Sequence, residues 1–85
     1  MKPNDKIREQ IFLLIEKQII DNEPPETKET FDRLCMQGFD EYRTMQLIGQ
    51  CLAVELFNTL KNGEPYNNAR YVNNLLALPK EPYEK

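Results

Sequence analysis

The chain has 85 residues, of which 40% are hydrophobic and 29% charged, which predicts one folded domain rather than a disordered segment. Its net charge is −3 and its 11 Lys and Arg residues are scattered singly. Binding to nucleic acid or to an anionic membrane is therefore not expected, because both need clustered positive charge. The polar start predicts no signal peptide, and the longest apolar run, Ile11–Ile15, is too short to cross a bilayer, so we expect a cytoplasmic protein.

A first helix is predicted from Asn4 to Asp21, with Asn4 or Asp5 capping its free backbone N–H groups. Apolar residues recur along it at helical spacing, namely Ile7, Ile11, Leu14, Ile15 and Ile19. Leu13 and Ile20 fall on the other side of this helix. The pattern predicts either burial on more than one face or a contact between Leu13 and a partner.

A second helix is predicted from Pro25 to Gln37. The segment Asn22-Glu23-Pro24-Pro25 is expected to end the first helix, because proline lacks the N–H group that a helix interior needs. The same prolines suit the first turn of the next helix. Gly38 is expected to close the second helix in the left-handed conformation. The apolar stripe of this helix comprises Thr27, Phe31, Leu34 and Cys35.

A long third helix is predicted from Asp40, as its N-cap, to about Asn62, and it carries two apolar stripes. The wider stripe comprises Tyr42, Met45, Ile48, Gly49, Leu52, Ala53, Leu56 and Leu60, with Phe57 on its edge. The narrower stripe lies roughly opposite and comprises Leu47, Cys51 and Val54. A helix that is apolar on two sides is usually central, and Gly49 beside Ala53 would let one neighbour approach closely.

Gly63 and Pro65 end the third helix, and a fourth helix is predicted from Asn68 to Leu78 with Asn67 as its cap. Tyr66 and Tyr71 have the spacing of a hydrophobic staple. The expected buried face comprises Ala69, Val72, Leu75 and Leu76, with Tyr71 at one edge. The whole pattern predicts an all-α fold, a small four-helix bundle with a long, central third helix, formed by a single domain over residues 1–79 and followed by a flexible tail at 80–85.

Few residues suggest chemistry. The chain has no histidine, the usual general base near neutral pH and the commonest metal ligand. Two lone cysteines, Cys35 and Cys51, supply neither a zinc site nor a disulfide framework, and both are expected to be small buried apolar residues. Without a phosphate-binding loop or a nucleophile elbow, we expect no enzyme, no cofactor and no metal.

Three polar residues interrupt the apolar faces. Glu55 lies at the boundary between the two stripes of the third helix, and we expect it at a solvent-exposed helix edge or, failing that, in an ion pair with Arg70. Gln18 and Gln46 need hydrogen-bond partners if they are buried, either on a neighbouring helix, which the pattern favours, or on a partner molecule.

From Gln18 to Leu78 the chain resembles the helical domain of the DUF1841-like group of uncharacterised bacterial proteins. The resemblance lies in the stretches QIIDNEPPETKETFDRL and QGFDEYRTMQLIGQCLAVELFNTLKNGEPYNNARYVNNLLAL. Members of that group often carry a His-x-x-x-His pair at the start of the long helix. Tyr42 and Gln46 occupy those positions here, so the resemblance implies the fold but neither a metal site nor an activity.

The leading functional prediction is a non-enzymatic helical module that acts through association with a protein partner or with itself, most simply as a homodimer. It depends on the two-sided apolar pattern of the third helix. The candidate binding residues are Leu47, Cys51, Val54, Tyr42, Gln46 and Glu55. The alternative is a bundle that binds a small ligand or a cation through Gln18, Tyr42, Gln46 and Glu55.

Overall fold

The computed structural model describes residues 3–80, with side chains from residue 6 onward. The helices are α1 (Pro3–Asp21), α2 (Pro25–Met36), α3 (Glu41–Asn62) and α4 (Asn68–Ala77). Over the described range there are only helices and their connections, which confirms the predicted all-α four-helix bundle with a long third helix. Within the same range, no helix has both the length and the apolar character needed to cross a membrane.

The start of α1 differs in detail from the prediction, and its end agrees with it. The helix begins at Pro3 rather than Asn4, and the predicted capping by Asn4 or Asp5 concerns side chains outside the described residues. Its C-terminus is a Schellman motif on Asn22, which has a φ of 53°, while the Glu23 N–H donates to the Gln18 carbonyl at 3.0 Å. The helix therefore ends at Asp21, as predicted, and Asn22 is the residue that closes it.

Gly38 and Asp40 form the turn between α2 and α3, as predicted. Gly38 has a φ of 103°, and the Phe39 N–H donates to the Leu34 carbonyl at 3.2 Å, which completes a second Schellman motif. The Asp40 carboxylate then accepts the Arg43 N–H at 2.7 Å and caps α3.

The connection between α3 and α4 is also made by the predicted residues. Gly63 closes α3 with a φ of 65°, and the Asn67 side chain accepts the Arg70 N–H at 3.0 Å to cap α4. The rings of Tyr66 and Tyr71 lie 5.9 Å apart, which confirms the hydrophobic staple. Of the predicted tail, residues 81–85 lie outside the described residues.

The core is built around α3, which packs against each of the other three helices. α2 also packs against the other three, whereas α1 and α4 do not pack on each other. The central position predicted for α3 is therefore shared with α2. The buried apolar side chains of the core come from all four helices and from the end of α4, namely Ile15, Leu34, Met45, Leu47, Ile48, Cys51, Leu52, Tyr71, Leu75 and Leu78.

α4 buries Tyr71, Asn74 and Leu75, so that Leu75 is the one residue of the predicted face that is buried. Ala69 and Leu76 are exposed, and Tyr71, which was expected at an edge, is fully enclosed. The buried positions still follow helical spacing. The prediction failed because it counted only aliphatic side chains as core, whereas an asparagine and a tyrosine define this stripe.

α1 and α3 approach each other closely at Gly49, as predicted. A Cβ atom placed on Gly49 would lie 3.2 Å from Ile11 Cγ2, tighter than ordinary van der Waals contact. The absence of a side chain on Gly49 thus sets the distance between these two helices.

Replacing Gly49 with leucine should lower the free energy of unfolding by about 1–3 kcal/mol, because the added side chain pushes α1 off α3. The loss should appear although leucine favours helix over glycine. Urea denaturation followed by circular dichroism measures it. Gln50→Leu is the matched control, because Gln50 is exposed and adjacent. Equal unfolding midpoints for the two variants would contradict the close approach.

Candidate functional site

The narrower stripe of α3 lies inside the molecule. Leu47, Cys51 and Val54 are all buried, so they are not available to a partner, and their assignment as binding residues is corrected. The same face of α3 carries Thr44, whose hydroxyl lies 3.8 Å from the Cys35 sulfur of α2. The stripe is thus covered by the chain's own helices rather than by another molecule.

Glu55 lies on this face as well and is almost inaccessible, with 1% of its surface exposed. Its carboxylate accepts two hydrogen bonds from the Arg70 guanidinium, at 2.6 and 3.0 Å, and one from the Asn67 backbone N–H at 2.9 Å. The exposed helix edge that we preferred for Glu55 is therefore wrong, and the ion pair with Arg70 is confirmed. The pair joins α3 to the start of α4.

The protonation of Glu55 depends on this arrangement. Burial alone would raise the pKa of the carboxyl group, but the hydrogen bonds from Arg70 and Asn67 and the charge of Arg70 outweigh it, so its pKa lies below the ordinary value. The hydrogen bond to Glu55 likewise raises the pKa of Arg70. The pair is therefore ionised near neutral pH and performs a structural role rather than proton transfer.

Gln18 joins three helices. Its side-chain oxygen accepts the Thr27 hydroxyl of α2 at 2.8 Å and the Tyr71 hydroxyl of α4 at 2.7 Å. The predicted interhelical role of Gln18 is confirmed. Gln46 differs, because its oxygen accepts a long bond of 3.4 Å from Arg43 on the same helix, so the interhelical role predicted for it is wrong.

Sequence reasoning missed the role of Arg33. Its guanidinium donates to the Leu75 and Leu78 carbonyls, both at 3.0 Å, and satisfies backbone groups at the C-terminus of α4. The sequence carries no signal for this role, because both acceptors are backbone carbonyls more than 40 residues away along the chain. Among the side chains of residues 6–80, no buried nitrogen or oxygen is left without a hydrogen-bond partner.

The thiols differ in environment. Cys51 is fully buried, and burial raises the pKa of its thiol to about 12, so almost no thiolate forms near neutral pH. Cys35 is only half-buried. The expected structural role is confirmed for Cys51, and Cys35 is more accessible than predicted. In the described part of the chain, no three Cys, Asp or Glu side chains are close enough to share a metal ion.

A candidate binding surface is an open groove of about 570 Å³ where α1, α2 and the start of α3 meet. Its apolar lining comprises Phe12, Ile19, Ile20, Phe31, Tyr42 and Met45. The charged side chains at its edge are Glu16, Lys28, Asp32 and Glu41. Of the six binding residues predicted from the sequence, only Tyr42 lines this groove, which we call the α1–α2–α3 groove.

Tyr42 is held in place at the groove. Its ring meets that of Phe12 edge-on, with centroids 5.8 Å apart, and its hydroxyl accepts a hydrogen bond from Arg8 at 3.0 Å. Gln46 lies in a smaller neighbouring cleft between α1 and α3. The groove thus has two positioned aromatic rings on one side and aliphatic side chains of α1 along its length.

A comparison of the chain with protein-family models, with curated proteins and with solved structures gave no match. The resemblance to the DUF1841-like proteins therefore stays a prediction.

Replacing Glu55 with glutamine should reduce the free energy of unfolding by about 3 kcal/mol, because it leaves the Arg70 charge enclosed without its anion. The pKa of Glu55 is lower in the folded state, so the folded protein binds fewer protons than the unfolded chain as acid is added. The contribution is complete above the unfolded pKa of about 4.3 and is lost as the pH falls through the folded pKa. Denaturant unfolding at several pH values should show a smaller loss of stability in acid for Glu55→Gln than for the wild type.

The control for this experiment is Glu29→Gln, which removes an exposed carboxylate on α2, away from the Glu55–Arg70 pair. It should unfold like the wild type at neutral pH and keep the acid-dependent loss. The structural role of the pair would be refuted by a Glu55→Gln variant as stable as Glu29→Gln at neutral pH.

The two thiols should react with a soluble disulfide reagent at very different rates. The Cys35→Ser variant, in which only Cys51 remains, should react slowly under native conditions because Cys51 must first be exposed by unfolding. The Cys51→Ala variant should react faster at Cys35. Absorbance of the released thiolate follows both reactions, with denatured samples as the control for full reactivity. Rapid native labelling of Cys51 would contradict its burial.

Proposed function

We propose that the protein is a non-enzymatic interaction module that binds a protein partner through the α1–α2–α3 groove. The observation that supports this most directly is the exposure of large apolar side chains in a concave surface. Ile20 is 81% exposed and Tyr42 is 53% exposed, although both border the half-buried residues that form the groove. Concave apolar surfaces with positioned aromatic rings are typical of binding sites.

A second exposed apolar patch is less suited to binding. Leu56, Phe57 and Leu60 project from the last turns of α3, where a single helix presents a convex surface. The ammonium group of Lys61 also lies 5.2 Å from the centre of the Phe57 ring and partly covers it. This patch therefore offers less enclosed apolar surface than the groove.

The predicted homodimer now depends on the groove rather than on the narrower stripe of α3. Leu13 supports an extended contact surface, because it is exposed and lies two turns before Ile20 on the same side of α1. A small-ligand or cation-binding bundle has weaker support, since Gln18 and Glu55 already accept hydrogen bonds from neighbouring helices.

The test compares Ile20→Glu with Leu60→Glu. Both put a carboxylate on a large, strongly exposed aliphatic position, with Leu60 at 86% exposure, so both variants should melt within a few degrees of the wild type. Self-association is measured by light scattering at rising concentration, and association with other proteins by affinity capture. We expect Ile20→Glu to lose the association that wild type and Leu60→Glu retain.

The proposal is wrong if Ile20→Glu associates as strongly as the wild type. It is equally wrong if the wild-type chain is a monomer at every concentration and retains nothing in the capture experiment.

A further inference from the structure

The dimensions of the α1–α2–α3 groove favour a helix as its occupant. Its lining along α1 runs from Phe12 to Ile20, eight positions apart, or about 12 Å at the rise of an α-helix. That length matches about two turns of a second helix lying on the groove. A helix with apolar residues at i, i+3 or i+4, and i+7 would place them on the lining while its polar side stays in water.

The charges at the edge of the groove restrict what this helix carries. Lys28 and Asp32 neutralise each other in an ion pair of 2.9 Å. Glu16 and Glu41 are exposed and form no ion pair with a described residue. The groove therefore presents an apolar floor beside two carboxylates that form no ion pair. Arg8 donates a hydrogen bond to the Tyr42 hydroxyl and lines the neighbouring cleft.

A second copy of the chain does not complement the charge of this acidic edge. In a two-fold symmetric dimer the same patch faces itself, so Glu16 and Glu41 of one copy would lie against the same acidic patch of the other. Like charges across an interface are unfavourable, and each whole chain also carries a net charge of −3. An anionic membrane would be repelled for the same reason.

We propose that the occupant is an amphipathic helix of another protein that carries Lys or Arg beside its apolar stripe. This inference rests on the proposed function, because it identifies the partner of the same groove. The apolar stripe of that helix packs on Phe12, Ile19 and Tyr42, and its basic side chains lie near Glu16 and Glu41. Charge complementarity then selects the partner and speeds its encounter with the groove.

The experiment uses three synthetic peptides with the same helical leucine stripe over about four turns and with Lys, Gln or Glu as the flanking residues. Each is titrated into the isotopically labelled full chain while the backbone amide resonances are recorded. We expect all three to shift amides within 12–20, 28–32 and 41–45. At low salt the Lys peptide should bind roughly tenfold more tightly than the Glu peptide, and the difference should shrink as salt is added.

Two charge-reversal variants provide the matched comparison. Glu16 lines the groove, and Glu16→Lys should abolish the preference for the Lys peptide. Glu64→Lys makes the same charge change beyond the opposite end of α3, roughly 30 Å from Glu41 along the helix, and should leave the preference intact. Glu16 is the better position to reverse, since Glu41 lies in the first turn of α3, where a negative charge stabilises the helix.

The outcomes separate this inference from the proposed function. Equal binding of the Lys and Glu peptides at the groove, or an unchanged preference in Glu16→Lys, overturns the basic partner and leaves the interaction module standing. A stable homodimer whose interface covers the groove would also overturn the basic partner and leave the interaction module standing. If no peptide shifts the groove amides, both proposals fail together.

Discussion

The fold depends on covering α3 on two opposite faces with three shorter helices. One face receives α1, which approaches closely because Gly49 has no side chain, and the other receives α2 and α4. A domain of 85 residues buries a smaller fraction of its surface than a larger one, so it has few apolar side chains with which to cover both faces of α3. Polar side chains therefore form part of the core, and their positions follow from the need to cover both faces.

Enclosed polar groups join two or more helices by hydrogen bonds. These bonds fix the relative orientation of the helices more specifically than apolar packing alone would. Gln18 ties α1 to α2 and α4 although α1 and α4 do not pack on each other, and Glu55 fixes the start of α4 on α3. Arg33 of α2 holds the other end of α4 by donating a hydrogen bond to the Leu75 carbonyl. An unpaired polar atom inside a protein is costly, so these bonds restrict how α4 can rotate on the bundle.

The helix boundaries were predictable because local residues determine them: Gly38, Asp40, Gly63 and Asn67 act through their own backbone conformation or side-chain caps. The buried face of α4 was not predictable in the same way. Tyr71 joins the core with a hydrogen bond to Gln18, which lies 53 residues earlier in the chain, and Asn74 is buried on the same face. A pattern of apolar residues does not identify either of them as a core residue. Glu55 was misplaced for a related reason, since only the fold brings the Arg70 guanidinium and the Asn67 N–H to one carboxylate.

The candidate site was the least predictable feature, because a groove depends on where helices fail to fill space. Of the predicted binding residues only Tyr42 borders it, and the narrower stripe of α3 is buried in the core. The need to cover both faces of α3 explains both results. Once α2 and α4 are committed to one face of α3, the first turns of α3 and the flank of α1 are left with partly covered aromatic and aliphatic side chains. A partner that packs there would bury the side chains that the four helices leave exposed, and would add to the stability of the fold by mass action.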